Sequence, residues 1–297
     1  MRNTLAVMNT KGGVGKSTLV LAMAETLSAK FGKNVLVIDA DAQASASLML
    51  TSAGTLHRLQ SDGATIVDLL VASVLQNVTV DWHRFVVAGV SDVTESRTVY
   101  LLPSDIQLTL FEREVAREGA TVRLRTGIRA LLDALRPNFD IVLIDCPPGL
   151  SVVTESWLRE ADFYVSPVVP DHLSAYALEV LNHFRGRDPE LGFAENLGLI
   201  INMKEMGSAA DADHERRLME KPENRCFPEP VPRTQALQHA PQFSAAERPY
   251  DVKYPGDSGV ALRFVCHELL DRVGTANRAG SQAPGQRPDG SRARASK

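Results

Sequence analysis

The sequence predicts an α/β fold, in which a doubly wound, mostly parallel sheet carries helices on both faces. Two observations predict it. Short apolar runs, typical of buried strands, alternate along the chain with longer segments of helical period. Two of these runs end in aspartate, and polar groups that bind ligands collect at the carboxyl ends of parallel strands. At 297 residues and 44% hydrophobic composition, the chain is long enough to bury a sizeable core.

The individual elements follow from local patterns. Continuous apolar runs that contain many β-branched residues predict strands, and longer segments with apolar residues on one side predict helices. The predicted strands cover 5–8, 34–39, 99–102, 139–145, 163–167 and 197–202, with a weak one near 85–87. The predicted helices cover 16–30, 65–74, 105–117, 121–135, 174–185 and 257–273.

We expect a single domain over residues 1–273 and a basic, disordered tail over 274–297. The tail is rich in Gly, Ser, Ala, Pro and Arg and has almost nothing to bury. No run of 18 apolar residues predicts a membrane span, and the first strand begins too early to leave room for a signal peptide. The three cysteines are far apart, which favours a reducing compartment, so a cytoplasmic location is expected.

A glycine-rich loop follows the first predicted strand and leads into the first helix. Glycines at this position let backbone N–H groups point inward and cradle phosphates, while a lysine neutralises them and a serine hydroxyl holds Mg²⁺. The loop therefore predicts a site for a nucleotide and Mg²⁺. Its candidate residues are Lys11, Gly12, Gly13, Val14, Gly15, Lys16, Ser17 and Thr18. Lys11 is one lysine more than such a loop needs.

Three aspartates are expected at the same edge of the sheet as this loop. Asp39 and Asp41 close the second strand, and Asp145 closes the strand at 139–145. A single aspartate after a strand is often a helix cap or a turn residue. Three of them beside a phosphate loop indicate that they belong to the same ligand site.

The segment Lys-Gly-Gly-Val-Gly-Lys-Ser-Thr resembles the deviant Walker A motif of the ParA/MinD group of P-loop ATPases, and of the ParA partitioning ATPases in particular. The resemblance implies ATP and Mg²⁺ as cofactors and an ATP-dependent homodimer in which Lys11 acts across the interface and Lys16 within its own subunit. Asp145 then matches the Walker B aspartate. Asp39 supports the metal, and Asp41 orients water and links the nucleotide state to conformation.

Further segments are similar to the same family. The resemblance implies that Asn202, at the end of the strand 197–202, reads the base and that Pro241 packs beside it. Two departures from the family pattern are visible: Ala42 stands where many relatives have proline, and His239 stands where they have glutamate.

The resemblance also implies non-specific DNA binding by the ATP-bound dimer and an activating partner of ParB type or an adaptor. The candidate DNA contacts are Arg185, Arg187, Arg216, Arg217, Lys221 and Arg225. An ordinary solvated charged face explains these residues equally well, since DNA binding requires several phosphate contacts in one patch.

The sequence thus predicts a slow ATPase that partitions or positions cargo and is nucleoid-associated when bound to ATP. Two alternatives stay open. A MinD-like membrane switch would need an amphipathic C-terminal helix, which the tail does not supply. An ATP-dependent ligase of the dethiobiotin synthetase type would use the same scaffold but lack Lys11.

Overall fold

A computed structural model describes residues 1–171 and 192–282. Seven strands within these residues form one sheet: β1 Thr4–Val7, β2 Val35–Asp39, β3 Val87–Ala88, β4 Val99–Leu102, β5 Ile141–Asp145, β6 Phe163–Val168 and β7 Glu195–Ile201. Their order in space is β3-β4-β2-β5-β1-β6-β7. The short β3 pairs antiparallel with β4, and every other neighbouring pair is parallel. The predicted doubly wound, mostly parallel sheet is confirmed.

Eleven α-helices lie within the described residues. They are α1 Lys16–Phe31, α2 Ser45–Leu50, α3 Ala53–Ser61, α4 Ile66–Leu70, α5 Leu108–Arg117, α6 Thr121–Leu135, α7 Val152–Glu160, α8 Ala209–Met219, α9 Gln235–His239, α10 Tyr250–Lys253 and α11 Gly256–Gln282. A π-helical turn, Val71–Leu75, continues α4. None of these helices combines the length and apolar character that crossing a bilayer requires.

The sheet separates two apolar cores because alternate residues of a strand point to opposite faces. In β2, Val35 and Val37 pack with α1 and α11, whereas Leu36 and Ile38 pack with α4 to α7. Both faces of the sheet are therefore covered, as continuous apolar strands require. This arrangement brings the carboxyl ends of β1, β2 and β5 side by side.

The hydrophobic pattern of the sequence predicted most of the strands but missed several helices. The helices α2, α3, α7, α8, α9 and α10 have no counterpart among the predictions. The first three are six to nine residues long, too short for a helical period to be distinct from irregular chain. The helix predicted over 174–185 lies outside the described residues.

The last helix corrects the predicted start of the tail at residue 274, because α11 continues to Gln282. Nine residues expected to be disordered are thus helical. One residue of this extension contacts the other end of the chain. Asn277 Nδ2 donates to the Arg2 carbonyl at 2.8 Å, and the Arg2 backbone N–H donates back to Asn277 Oδ1 at 3.1 Å. Residues 283–297 lie outside the described part of the chain.

Candidate nucleotide and magnesium site

The glycine-rich loop joins β1 to α1, as predicted. Gly13 and Gly15 have φ values of 76° and 80°, a left-handed conformation that side chains with a Cβ rarely adopt. Gly15 also has no room for a side chain. A Cβ there would lie 2.6 Å from Asn202 Nδ2 and 2.6 Å from Met203 Cε. The loop conformation therefore depends on glycine at position 15 for two separate reasons.

Two buried asparagines hold this loop against the sheet. Asn9 accepts the Lys11 backbone N–H at 2.9 Å through Oδ1 and donates Nδ2 to the Pro167 carbonyl at 2.8 Å. Asn202 donates Nδ2 to the Val14 carbonyl at 2.8 Å. Sequence reasoning missed Asn9, although a polar residue directly before a phosphate loop was a usable signal. Asn202 is predicted to read the base, and in this structure its amide nitrogen supports the loop backbone.

Lys16 begins α1 and is 7% exposed. Burial lowers the pKa of its ammonium group, while the nearby carboxylates of Asp145 and Asp41 act in the opposite direction. The structure therefore brings Lys16 together with two of the three predicted aspartates. A buried cation at the N-terminus of a helix is well placed to neutralise bound phosphate.

Asp39 and Asp145 are opposite one another in neighbouring strands, β2 and β5. Both side chains are fully buried. Burial raises the pKa of Asp39 to about 6, against the lowering effect of its hydrogen bonds from Ser47 and Asp41. Burial and the charge of Asp39 raise the pKa of Asp145 well above its usual range. Two buried carboxylates that repel each other form a site that favours a cation.

The carboxylate of Asp145 fits a magnesium ion. Both of its oxygens are buried, and neither accepts a hydrogen bond within the described residues, although the Ser17 hydroxyl lies close enough to lower its pKa. Mg²⁺ prefers oxygen ligands and keeps several waters, so one or two carboxylates suffice when phosphates supply the rest.

Lys11 forms an ion pair inside its own subunit. Its Nζ lies 2.7 Å from Asp171 Oδ2, just beyond the end of β6. The Lys11 side chain is 27% exposed and that of Asp171 39% exposed, so the pair faces the surface. Lys11 is thus the more accessible of the two loop lysines.

A cavity of about 240 Å³ adjoins the loop. Its lining includes Thr18, Asn202 and Pro241, three of the residues predicted to contact the nucleotide, together with Arg233 and Leu237. The walls are mostly apolar, as in sites that hold a flat ring. His239, one of the two departures from the family pattern, is exposed and absent from this lining.

Each candidate DNA-contacting residue that the structure describes has a partner within the protein. Arg216 and Arg217 both pair with Asp213 on the same helix, and Arg225 donates to the Asn196 carbonyl at 2.8 Å. Lys221 is exposed and also has a partner. Arg185 and Arg187 lie outside the described residues.

Comparison with known proteins agrees with this geometry. The family model described as "AAA domain" matches residues 2–186. The chain is 30% identical over 281 residues to the chromosome-partitioning ATPase Soj of Thermus thermophilus, an alignment that covers 91% of this chain and 96% of the relative. It is 29% identical over 278 residues to the chromosome partitioning protein ParA of Caulobacter vibrioides, with 90% and 94% covered.

Solved structures share the fold at lower identity. Apo McdA of Cyanothece has a TM-score of 0.73 at 22% identity, with 91% of this chain and all of that chain covered. A plasmid partition protein of Borrelia burgdorferi bound to AMPPNP has a TM-score of 0.70 at 22% identity, with 92% and 100% covered. From the phosphate loop, the aspartates beside it and these full-length relatives, we conclude that the chain belongs to the ParA family of P-loop ATPases.

Proposed function

We propose that this protein is a partitioning or positioning switch that binds ATP with Mg²⁺ and hydrolyses it slowly. The observation that carries the proposal is the buried carboxylate of Asp145, which no described residue hydrogen-bonds, opposite the end of β1 where the glycine loop begins. The buried Lys16 follows at the other end of that loop. Lys16 and the loop N–H groups hold the phosphates, and Ser17, Asp145 and Asp39 hold or support Mg²⁺. Held by these residues, Mg²⁺ would neutralise the charge of the phosphates.

Asp41 is the proposed water-orienting residue. It lies two residues beyond the buried Asp39 and is partly exposed. Since the transition state of phosphoryl transfer is loose, a carboxylate there needs to position water rather than act as a strong base. Asp41→Ala should therefore bind ATP but hydrolyse it far more slowly, and rapid turnover in that variant would contradict the role.

ATP binding is proposed to join two subunits face to face. Lys11 would then exchange its ion pair with Asp171 for the phosphates on the partner. An added cation at the phosphates stabilises developing charge as an arginine finger does elsewhere. The dimer would bind nucleoid DNA without sequence preference, and a ParB-type or adaptor protein would stimulate hydrolysis and release it.

The Lys11 role is tested by size-exclusion chromatography with ATP. Lys11→Ala should keep ATP binding and lose dimerisation, whereas Lys16→Ala should lose ATP binding itself. Lys30→Ala is a matched control, because Lys30 is 25% exposed and pairs with Asp251 at 3.2 Å on another part of the surface. A Lys11→Ala protein that still dimerises on ATP would refute the role across the interface.

DNA binding is tested on long non-specific duplex with ATP, ADP and a non-hydrolysable analogue at two salt concentrations. Binding that needs ATP, accompanies dimerisation and weakens steeply with salt supports the proposal. Reversing Arg216 and Arg217 to glutamate should reduce the salt dependence if they contact phosphates. ATP-dependent dimers with no affinity for DNA would redirect the search to membranes or protein scaffolds.

A further inference from the structure

Ser47 makes two hydrogen bonds to one carboxylate oxygen of Asp39. Its backbone N–H donates to Asp39 Oδ2 at 2.8 Å, and its hydroxyl lies 2.7 Å from the same oxygen. Ser47 is fully buried in α2, eight residues after the aspartate. Sequence reasoning assigned no role to it.

The same hydroxyl also contacts the loop that follows β4. The backbone N–H of Ser104 points at Ser47 Oγ, at a distance of 3.0 Å. A backbone N–H can only donate, so Ser47 Oγ is the acceptor in this contact. The hydroxyl hydrogen of Ser47 is then available for Asp39 Oδ2. One hydroxyl thus pairs with two buried groups, the Ser104 N–H and the Asp39 carboxylate. With Asp39 ionised, the Ser47 hydroxyl is therefore the donor to Oδ2.

We propose that Ser47 is a positioning residue that orients the Asp39 carboxylate toward the bound magnesium ion. Ser47 occupies Oδ2, and among the described residues Oδ1 accepts just the 3.2 Å contact from the Asp41 backbone N–H. Oδ1 is therefore the oxygen left to face the metal. Groups that orient a metal-supporting carboxylate commonly change metal affinity when removed, by about 10–100-fold. The inference rests on the proposed function, since it concerns the magnesium ion of that site.

A purely structural role predicts a different result. If Ser47 only fills space between α2 and β2, then Ser47→Ala lowers stability without changing the dependence of nucleotide binding on Mg²⁺. If it orients Asp39, the loss appears in the magnesium dependence. The two roles are therefore separable by a binding measurement that does not involve turnover.

The experiment follows fluorescence of a labelled ATP on the full chain, first in EDTA and then with increasing Mg²⁺. Ser47→Ala should raise the Mg²⁺ concentration for half-saturation about tenfold and leave binding in EDTA unchanged. Ser47→Thr keeps the hydroxyl and should stay within about threefold of the natural chain. Ser156→Ala is the control, because Ser156 is equally buried and donates to the Val152 carbonyl at 2.7 Å within α7.

The outcomes distinguish a failure of the proposed ATPase function from a failure of the proposed role of Ser47. A natural chain that binds the labelled ATP without any magnesium dependence refutes the proposed function, and this inference with it. Normal binding by the natural chain, with an unchanged half-saturation in Ser47→Ala, refutes the positioning role alone. So does a Ser47→Thr variant that shows the same shift as Ser47→Ala, or a Ser47→Ala variant whose binding in EDTA falls equally.

Discussion

Asp39→Asn should stabilise the protein in the absence of nucleotide and magnesium. Asp39 and Asp145 are both fully buried and face each other across neighbouring strands. Each ionised carboxylate makes ionisation of the other more costly. Replacing one of them with a neutral side chain of the same shape removes that repulsion and one buried charge. A functional site of this kind is expected to be stabler once its function is lost.

The magnitude follows from the pKa of Asp39. Burial raises that pKa from its usual 3.8 to about 6. Since each pKa unit corresponds to about 1.4 kcal/mol, the ionised carboxylate costs about 3 kcal/mol at neutral pH. A neutral asparagine avoids the cost of the buried charge. It turns an amide N–H toward the Asp41 backbone N–H, however, and this unfavourable contact costs about 1–2 kcal/mol. The net gain is about 1–2 kcal/mol.

Thermal and urea unfolding in EDTA, at pH values from 4 to 8, would measure the effect. A raised carboxyl pKa contributes stability that is present below pH 3.8 and lost as pH rises through about 6. The advantage of Asp39→Asn should therefore appear across that interval and reach its full size above pH 7. A gain of this size corresponds to roughly 4 °C in Tm.

Asp62→Asn is the control for net charge, because Asp62 is exposed and lies at the end of α3. An Asp39→Asn chain that is less stable than the natural chain at pH 7.5 would refute the reasoning. So would a stability gain that does not depend on pH, or one that Asp62→Asn reproduces.

Three further predictions concern packing and backbone. Gly15→Ala should abolish ATP binding, measured with labelled ATP, because a Cβ would lie 2.6 Å from Asn202 Nδ2 at a φ of 80°; normal affinity would contradict this. Ala44→Gly should raise stability to urea by about 1 kcal/mol, since alanine there has a φ of 52°, and a loss of stability would count against strain at that residue. Lys253→Ala should cost about 3–5 kcal/mol in the same assay, because it leaves Glu25 buried without its cation and Asp92 with Arg248 alone; a change below about 1 kcal/mol would refute that estimate.

The candidate site was predictable where its signals are local. Glycines and lysines at fixed spacing located the loop, and apolar runs ending in aspartate located Asp39 and Asp145. Parallel pairing then brings the strand ends together, so the placement of Asp145 beside Asp39 and beside the end of β1, where the loop begins, follows from topology. Short helices such as α2 were missed because six residues hold too few turns to show a period.

The strands, the phosphate loop and the acidic strand ends could be predicted from the sequence, because each has a pattern confined to residues within a few positions of one another. The contacts that support the loop and the carboxylates are visible only in the tertiary structure. Asn202 holds a loop 188 residues away, Ser47 joins Asp39 to Ser104, and Asn277 on the last helix hydrogen-bonds to Arg2 at the N-terminus. Contacts of this kind have no local pattern, since they depend on which surfaces the folded chain brings within hydrogen-bonding distance.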